Sequence, residues 1–257
     1  MVELLLGGAL VGYGEAAVAL VGEARRPGLA GRLGIWGVRL GWLAQTGLLA
    51  VQAARADGFP WSSWAGALNL FAWLVVGAYL IWGCQPRFRL LGLGVMPAAV
   101  LLLALAYAGG GIQSEGDHPG ALLALHVALM LAGLAGFTLA AALSAFFLWH
   151  ERRLKRREAS ILRLRVPPLA ALDRLAARTV AVSLATLTIG IALGAVSLAR
   201  GEGRFDAVMA ATLAVSAAYA VFLLLRSRVS LHGRRAAYLN LAAFAAVVLI
   251  LPVTHFG

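Results

Sequence analysis

The chain is a succession of apolar stretches near the thickness of a bilayer, and no interval between them is long enough to build a separate soluble core. A helix needs about 20 apolar residues to cross the hydrocarbon core. Stretches of that kind lie near residues 2–21, 33–53, 64–82, 90–108, 121–149, 177–199, 207–225 and 236–253, divided at charged or Pro/Gly-rich breaks. Composition agrees: 61% of residues are hydrophobic, 13% are charged and the mean hydropathy is +0.86. These features predict an all-α, polytopic membrane helical bundle of about eight transmembrane helices, forming a single domain over residues 1–257. The first stretch lacks a small-residue cleavage pattern and reads as a retained helix. The fifth exceeds what a bilayer requires, so it tilts or projects beyond one surface. The segment from Ile161 to Leu175, broken by Pro167-Pro168, is too short and too charged to cross and reads as an interfacial connector.

Lys and Arg collect in alternate loops, and basic loops tend to stay cytoplasmic. Arg25, Arg26, Arg32 and Arg39 follow or flank the first break, and Arg87 and Arg89 follow the third stretch. A dense run from Arg152 to Arg178 follows the fifth, and Arg226, Arg228, Arg234 and Arg235 follow the seventh. Only Arg55, Arg200 and Arg204 fall on the other side. Both termini are therefore expected to be extracytoplasmic, in a multi-pass protein of the cell inner or plasma membrane. The net charge of +11 is accounted for by this topology and by attraction to anionic membrane lipid, so nucleic acid is not an expected partner.

With this orientation the outer side carries the Phe59-to-Trp64 loop, the stretch from Gly109 to Gly120, and Arg200 to Asp206. His118, His126 and His255 join them. A haem site asks for imidazole nitrogen on the iron, aromatic and apolar walls, and cations for the propionates, and this face holds all three. Each residue also has a plainer reading. Trp61 and Trp64 suit interfacial anchoring as well as cofactor walls, Arg200 and Arg204 suit solvated loop charges, and a histidine at a helix end suits a polar boundary. His150 and His232 lie among arginines on the opposite side and receive no function. Glu15, inside an apolar stretch, calls for a partner or water, and a role as structural polar glue is expected. The sole cysteine, Cys84, excludes an internal disulfide and a CxxCH haem-attachment site.

The order of several motifs resembles the cytochrome c assembly superfamily of integral membrane proteins, which includes CcsA, CcmC and the HemX-like proteins. The first part is Gly58-Phe59-Pro60-Trp61-Ser62-Ser63 leading into Phe71-Ala72-Trp73-Leu74 and Tyr79-Leu80, then Leu91-Gly92 and Met96-Pro97. The second begins at His126-Val127 and continues through Phe146-Phe147-Leu148, Glu151-Arg152-Arg153-Leu154-Lys155 and Pro167-Pro168-Leu169 to Leu172-Asp173-Arg174-Leu175. It takes in Leu187-Thr188-Ile189-Gly190-Ile191, Gly194-Ala195 and Tyr219, and closes with Gly233-Arg234-Arg235-Ala236-Ala237-Tyr238 and Thr254-His255-Phe256. The resemblance implies that His126 and His255 are extracytoplasmic axial ligands of haem iron. The chain departs from the pattern twice. Where haem-delivering members carry a Trp-rich platform ending in Trp-Asp, this chain reads Gly203-Arg204-Phe205-Asp206, and where CcsA-like members place an inner histidine it has Leu224, two residues before Arg226.

The leading expectation is a haem-handling component of c-type cytochrome biogenesis. It holds haem b between His126 and His255, with Trp61, Trp64 and Phe205 as walls and Arg200 or Arg204 near the propionates. The alternative is a HemX-like membrane regulator, binding a haem-biosynthetic or cytochrome-assembly partner through the basic loop after the fifth stretch. A small-solute transporter ranks below both, because the apolar stretches offer little polarity beyond Glu15 and Gln45. No Ser/His/Asp set, phosphate loop or paired carboxylates point to independent enzymatic activity.

Overall fold

The computed structural model describes residues 1–25, 28–55, 61, 63–83, 85–110, 120–157, 166–201, 205 and 207–256, with the side chains of Arg25, Trp82 and residues 250–256 outside that description. Eight α-helices are present among these residues: α1 (Val2–Arg25), α2 (Leu29–Arg55), α3 (Trp64–Gly83), α4 (Gly92–Ala108), α5 (Ala121–Lys155), α6 (Leu169–Ala199), α7 (Ala207–Arg228) and α8 (Arg234–Phe256). Six of them are long and apolar enough to cross a membrane: α1, α3, α4, α5, α6 and α7. The protein is thus a multi-pass, all-α membrane protein. α2 falls short of that apolarity because Arg32, Arg39, Gln45, Gln52 and a run of glycines dilute its hydrophobic residues.

The connector expected between the fifth and sixth stretches needs correction. Residues 169–175 are not a connector but the first two turns of α6. Pro168 stands at the N-cap, where a missing N–H costs nothing, and the Ala171 and Leu172 amides already bond back to its carbonyl. The charges of Asp173 and Arg174 do not break the helix because they sit at its end.

The helices form two compact units, α1–α4 and α5–α8. In the first, α1 and α2 approach closely through glycine: a Cβ at Gly12 would stand 2.8 Å from the Gly37 carbonyl oxygen and from the Gly41 Cα. Lipid offers no hydrophobic drive between helices, so such contact rests on dispersion and hydrogen bonds. The bonds are here: the Tyr13 hydroxyl donates to Gln45 Oε1 (2.6 Å), Gln45 Nε2 donates to Asn69 Oδ1 (2.9 Å), and Asn69 Nδ2 donates to Gln52 Oε1 (2.8 Å). Beside them Trp42 and Trp73 stack at 5.0 Å, and each indole N–H finds an oxygen, on Trp73 and Thr46 respectively. These buried groups, and not the exposed Glu15, tie the three helices together through polar contacts. At one end, buried Glu23 accepts from the amides of Gly28 and Gly31 and pairs with Arg89 at 3.7 Å, which satisfies the start of α2.

The second unit is built on an antiparallel α5–α6 pair. Gly133 and Gly136 of α5 meet Leu187 and Ser183 of α6, while Gly190 and Gly194 of α6 meet Met130 and His126 of α5. Its core stacks Phe137 on Tyr219 with ring centroids 3.7 Å apart, among Val180, Leu187, Val215, Phe222 and Val247.

Candidate functional site

His126 lies in the second turn of α5, half-buried, and its Nδ1 is 2.7 Å from the carbonyl oxygen of Gly190. A carbonyl only accepts, so Nδ1 carries the proton, and in the neutral ring Nε2 keeps its lone pair. A second partner that orients an imidazole in this way is the usual companion of metal ligation. The ring fits because α6 is open beneath it: a Cβ at Gly194 would stand 2.7 Å from His126 Cε1 and 2.9 Å from Nδ1.

The register of α8 follows from its contacts with α5. Asn240 Nδ2 donates to Ser144 Oγ (2.8 Å), and Arg152 reaches the Tyr238 hydroxyl (3.5 Å), so the start of α8 lies beside the finish of α5. From that level, His126 stands about 27 Å along α5 and the backbone of His255 about 22 Å along α8 in the same direction. The two histidines therefore belong to one end of the second unit. That end also holds Arg200, the exposed C-cap of α6, and Phe205, exposed just before α7. Gly201 closes α6 with φ +78°, a left-handed turn in which its amide bonds to the Leu198 carbonyl.

The other candidates divide. Trp61 and Trp64 belong to the first unit, where Trp64 is 44% exposed and its ring covers Gly109, the C-cap of α4. Arg204, Asp206 and His118 lie outside the described residues. Leu224, in the place of the inner histidine, is exposed on α7.

The opposite end of the second unit holds a feature that sequence reading missed. Arg226 makes a two-pronged ion pair with Asp173, Nη1 to Oδ1 at 3.0 Å and Nη2 to Oδ2 at 2.5 Å, with both side chains 12% exposed. The Gly233 amide also donates to Asp173 Oδ1 (3.0 Å), so one carboxylate joins the start of α6, the finish of α7 and the start of α8. His150, expected in ordinary loop surroundings, is instead buried in α5, with no partner for its Nδ1 among the described residues.

No curated protein gives a significant match to the chain. A family model described as Cytochrome C assembly protein matches residues 61–256, a span running from the start of the aromatic-rich α3 region through His126 to the last turn of α8. The chain belongs to the cytochrome c assembly protein family.

Proposed function

We propose that the protein handles haem for c-type cytochrome biogenesis, holding haem b at the extracytoplasmic face of the cell inner or plasma membrane with His126 and His255 as axial ligands. The observation that carries this reading is the orientation of His126, whose Nδ1 proton is engaged by Gly190 and whose Nε2 is left as a donor to metal. Among the described residues no three His, Cys, Asp or Glu side chains gather as a bare ion would require. A histidine arranged for ligation without such companions suits an iron whose equatorial positions are already filled, as in haem.

The iron supplies the affinity for imidazole, while the chain supplies position and access. Gly194 makes room for the His126 ring, Gly190 sets its tautomer, Phe205 offers apolar area, and Arg200 and Arg204 offer charge to propionates. Both termini are extracytoplasmic in this reading: the C-terminus because the arginine-rich end of the second unit is the one bearing Asp173 and Arg226, and the N-terminus because, in the first unit, Arg89 meets Glu23 at the far end of α1 from Val2.

An optical spectrum of detergent-purified protein, expressed with ample haem, tests the proposal. A Soret band with reduced α/β bands, weakened in both His126→Ala and His255→Ala, is expected. A wild type without any Soret band would sink it. The basic segment from Arg152 to Arg165, in which Arg152, Lys155, Arg156 and Arg157 are exposed, would then favour the HemX-like alternative, a membrane regulator that docks a partner protein, tested by co-purification with that segment neutralised.

A further inference from the structure

The hydroxyls of α6 behave alike with one exception. Thr179, Ser183, Thr186 and Thr188 each donate to the carbonyl four residues earlier, at 2.9, 2.7, 3.0 and 2.7 Å. That is the default for a hydroxyl in an apolar helix, because lipid offers no other acceptor. Ser197, the fifth hydroxyl of the helix, makes no such bond. It is 5% exposed, and its Oγ has no partner among the described residues. A buried hydroxyl left unbonded is disfavoured, so its exception marks a place where a partner belongs.

The direction of the side chain follows from helix geometry. Gly190, Gly194 and Ser197 are spaced i, i+4 and i+7 on one face of α6. That face meets α5, with Gly190 against Met130 and Gly194 against His126. Continuing the antiparallel register sets Ser197 level with Leu123, about 4.5 Å nearer the helix end than Gly194. It is thus one turn beyond the His126 ring, on the side leading to the C-cap at Arg200.

We infer that Ser197 is a positioning residue for the ligand of His126, donating its O–H to a carboxylate of the bound haem; the inference rests on the haem reading above. The chemistry of the ligand narrows the partner. The pyrrole nitrogens of haem b are taken by iron and its methyl and vinyl groups are apolar, so the propionates are its peripheral acceptors. They turn toward the polar end of the helices, where Ser197 precedes Arg200. The neutral donor fixes the carboxylate inside the protein wall, and the exposed cation meets it from outside.

The test compares wild type, Ser197→Ala, Ser197→Thr and His126→Ala in detergent, titrated with haem and with haem dimethyl ester while the Soret band is followed. Thermal unfolding of the haem-free proteins is measured alongside. Ser197→Ala is expected to keep the wild-type band position and an unchanged or raised haem-free midpoint, since it deletes an unbonded buried hydroxyl. Its affinity for haem should fall roughly ten- to hundredfold, the worth of one hydrogen bond to a charged acceptor. The loss should be smaller with the dimethyl ester, and Ser197→Thr should restore binding. Unchanged affinity in Ser197→Ala, or an equal loss with the ester, overturns the contact while leaving the haem reading intact. A wild type that binds neither ligand overturns both.

Discussion

The His126 imidazole occupies the space that Gly194 leaves, with Cε1 only 2.7 Å from where a Cβ at that position would stand. Ring and helix are in contact along the edge that carries Nδ1, so the ring cannot stay in place beside any larger residue. Gly194→Ala should push the imidazole off α6 and break its bond to the Gly190 carbonyl. Losing an orienting partner of a metal ligand costs about tenfold to a hundredfold in affinity. Haem titration of Gly194→Ala beside Ala195→Leu, whose position is exposed, checks this: only the former should weaken the Soret response, and equal binding by both would refute the cradle.

The Asp173–Arg226 pair should be a principal tie at the other end of the second unit. Removing one partner from a buried ion pair typically costs about 3–5 kcal/mol, because the remaining charge is left unsolvated. With both side chains 12% exposed, roughly 3 kcal/mol is expected for Asp173→Ala, which also strips the acceptor from the Gly233 amide. Arg226→Ala should cost about the same. The double variant should recover part of the loss, a coupling of roughly 1–3 kcal/mol. Denaturant unfolding in detergent measures it, and additivity within about 0.5 kcal/mol would show that the two residues act independently.

Much of this architecture was legible because bilayer thickness acts on one property, a run of apolar residues, that a sequence displays directly. The positions of α3, α4 and α7 follow from that property alone. The start of α6 was not legible, because Asp173 and Arg174 make residues 169–175 read as surface. Only the contact with Arg226, 53 positions away in sequence, shows that Asp173 is a joint between helices. The same limit applies at His126. Its place near the start of α5 could be read, but the Gly190 carbonyl that orients it depends on interhelical register. The signal that pointed there was the pair Gly190 and Gly194, small residues four apart on one helix face, which sequence alone reads as close packing.

In the first unit, Gln45 is the hub of the buried polar chain, accepting from Tyr13 and donating to both the carbonyl and the side chain of Asn69. Gln45→Leu removes those bonds and leaves the Tyr13 hydroxyl and Asn69 Oδ1 buried without them. Single interhelical hydrogen bonds in membranes average about 0.6 kcal/mol, whereas orphaned buried groups cost about 1–3 kcal/mol each. A loss of roughly 2 kcal/mol is expected. Gln45→Glu should cost less if the carboxyl stays protonated and keeps the Tyr13 bond. Thermal unfolding followed by tryptophan fluorescence reports on the adjacent Trp42–Trp73 stack, and a leucine variant as stable as wild type would show the chain to be dispensable.

Orientation can be settled with two cysteines. Phe205 and Val229 are 61% and 67% exposed and flank α7, a helix of about 33 Å by its rise per residue, enough to separate them by a bilayer. Because Cys84 is the sole native cysteine, a Cys84→Ser background leaves each introduced thiol as the single target. In the proposed orientation, which follows Lys and Arg asymmetry, Phe205 is outside and Val229 inside. An impermeant maleimide added to intact cells should therefore label Phe205→Cys at once and Val229→Cys only after permeabilisation. The reverse pattern would put His126 and the last turn of α8 on the cytoplasmic side. A haem site there would face the compartment of haem synthesis rather than that of cytochrome assembly, and the protein would then act in receiving haem instead of presenting it.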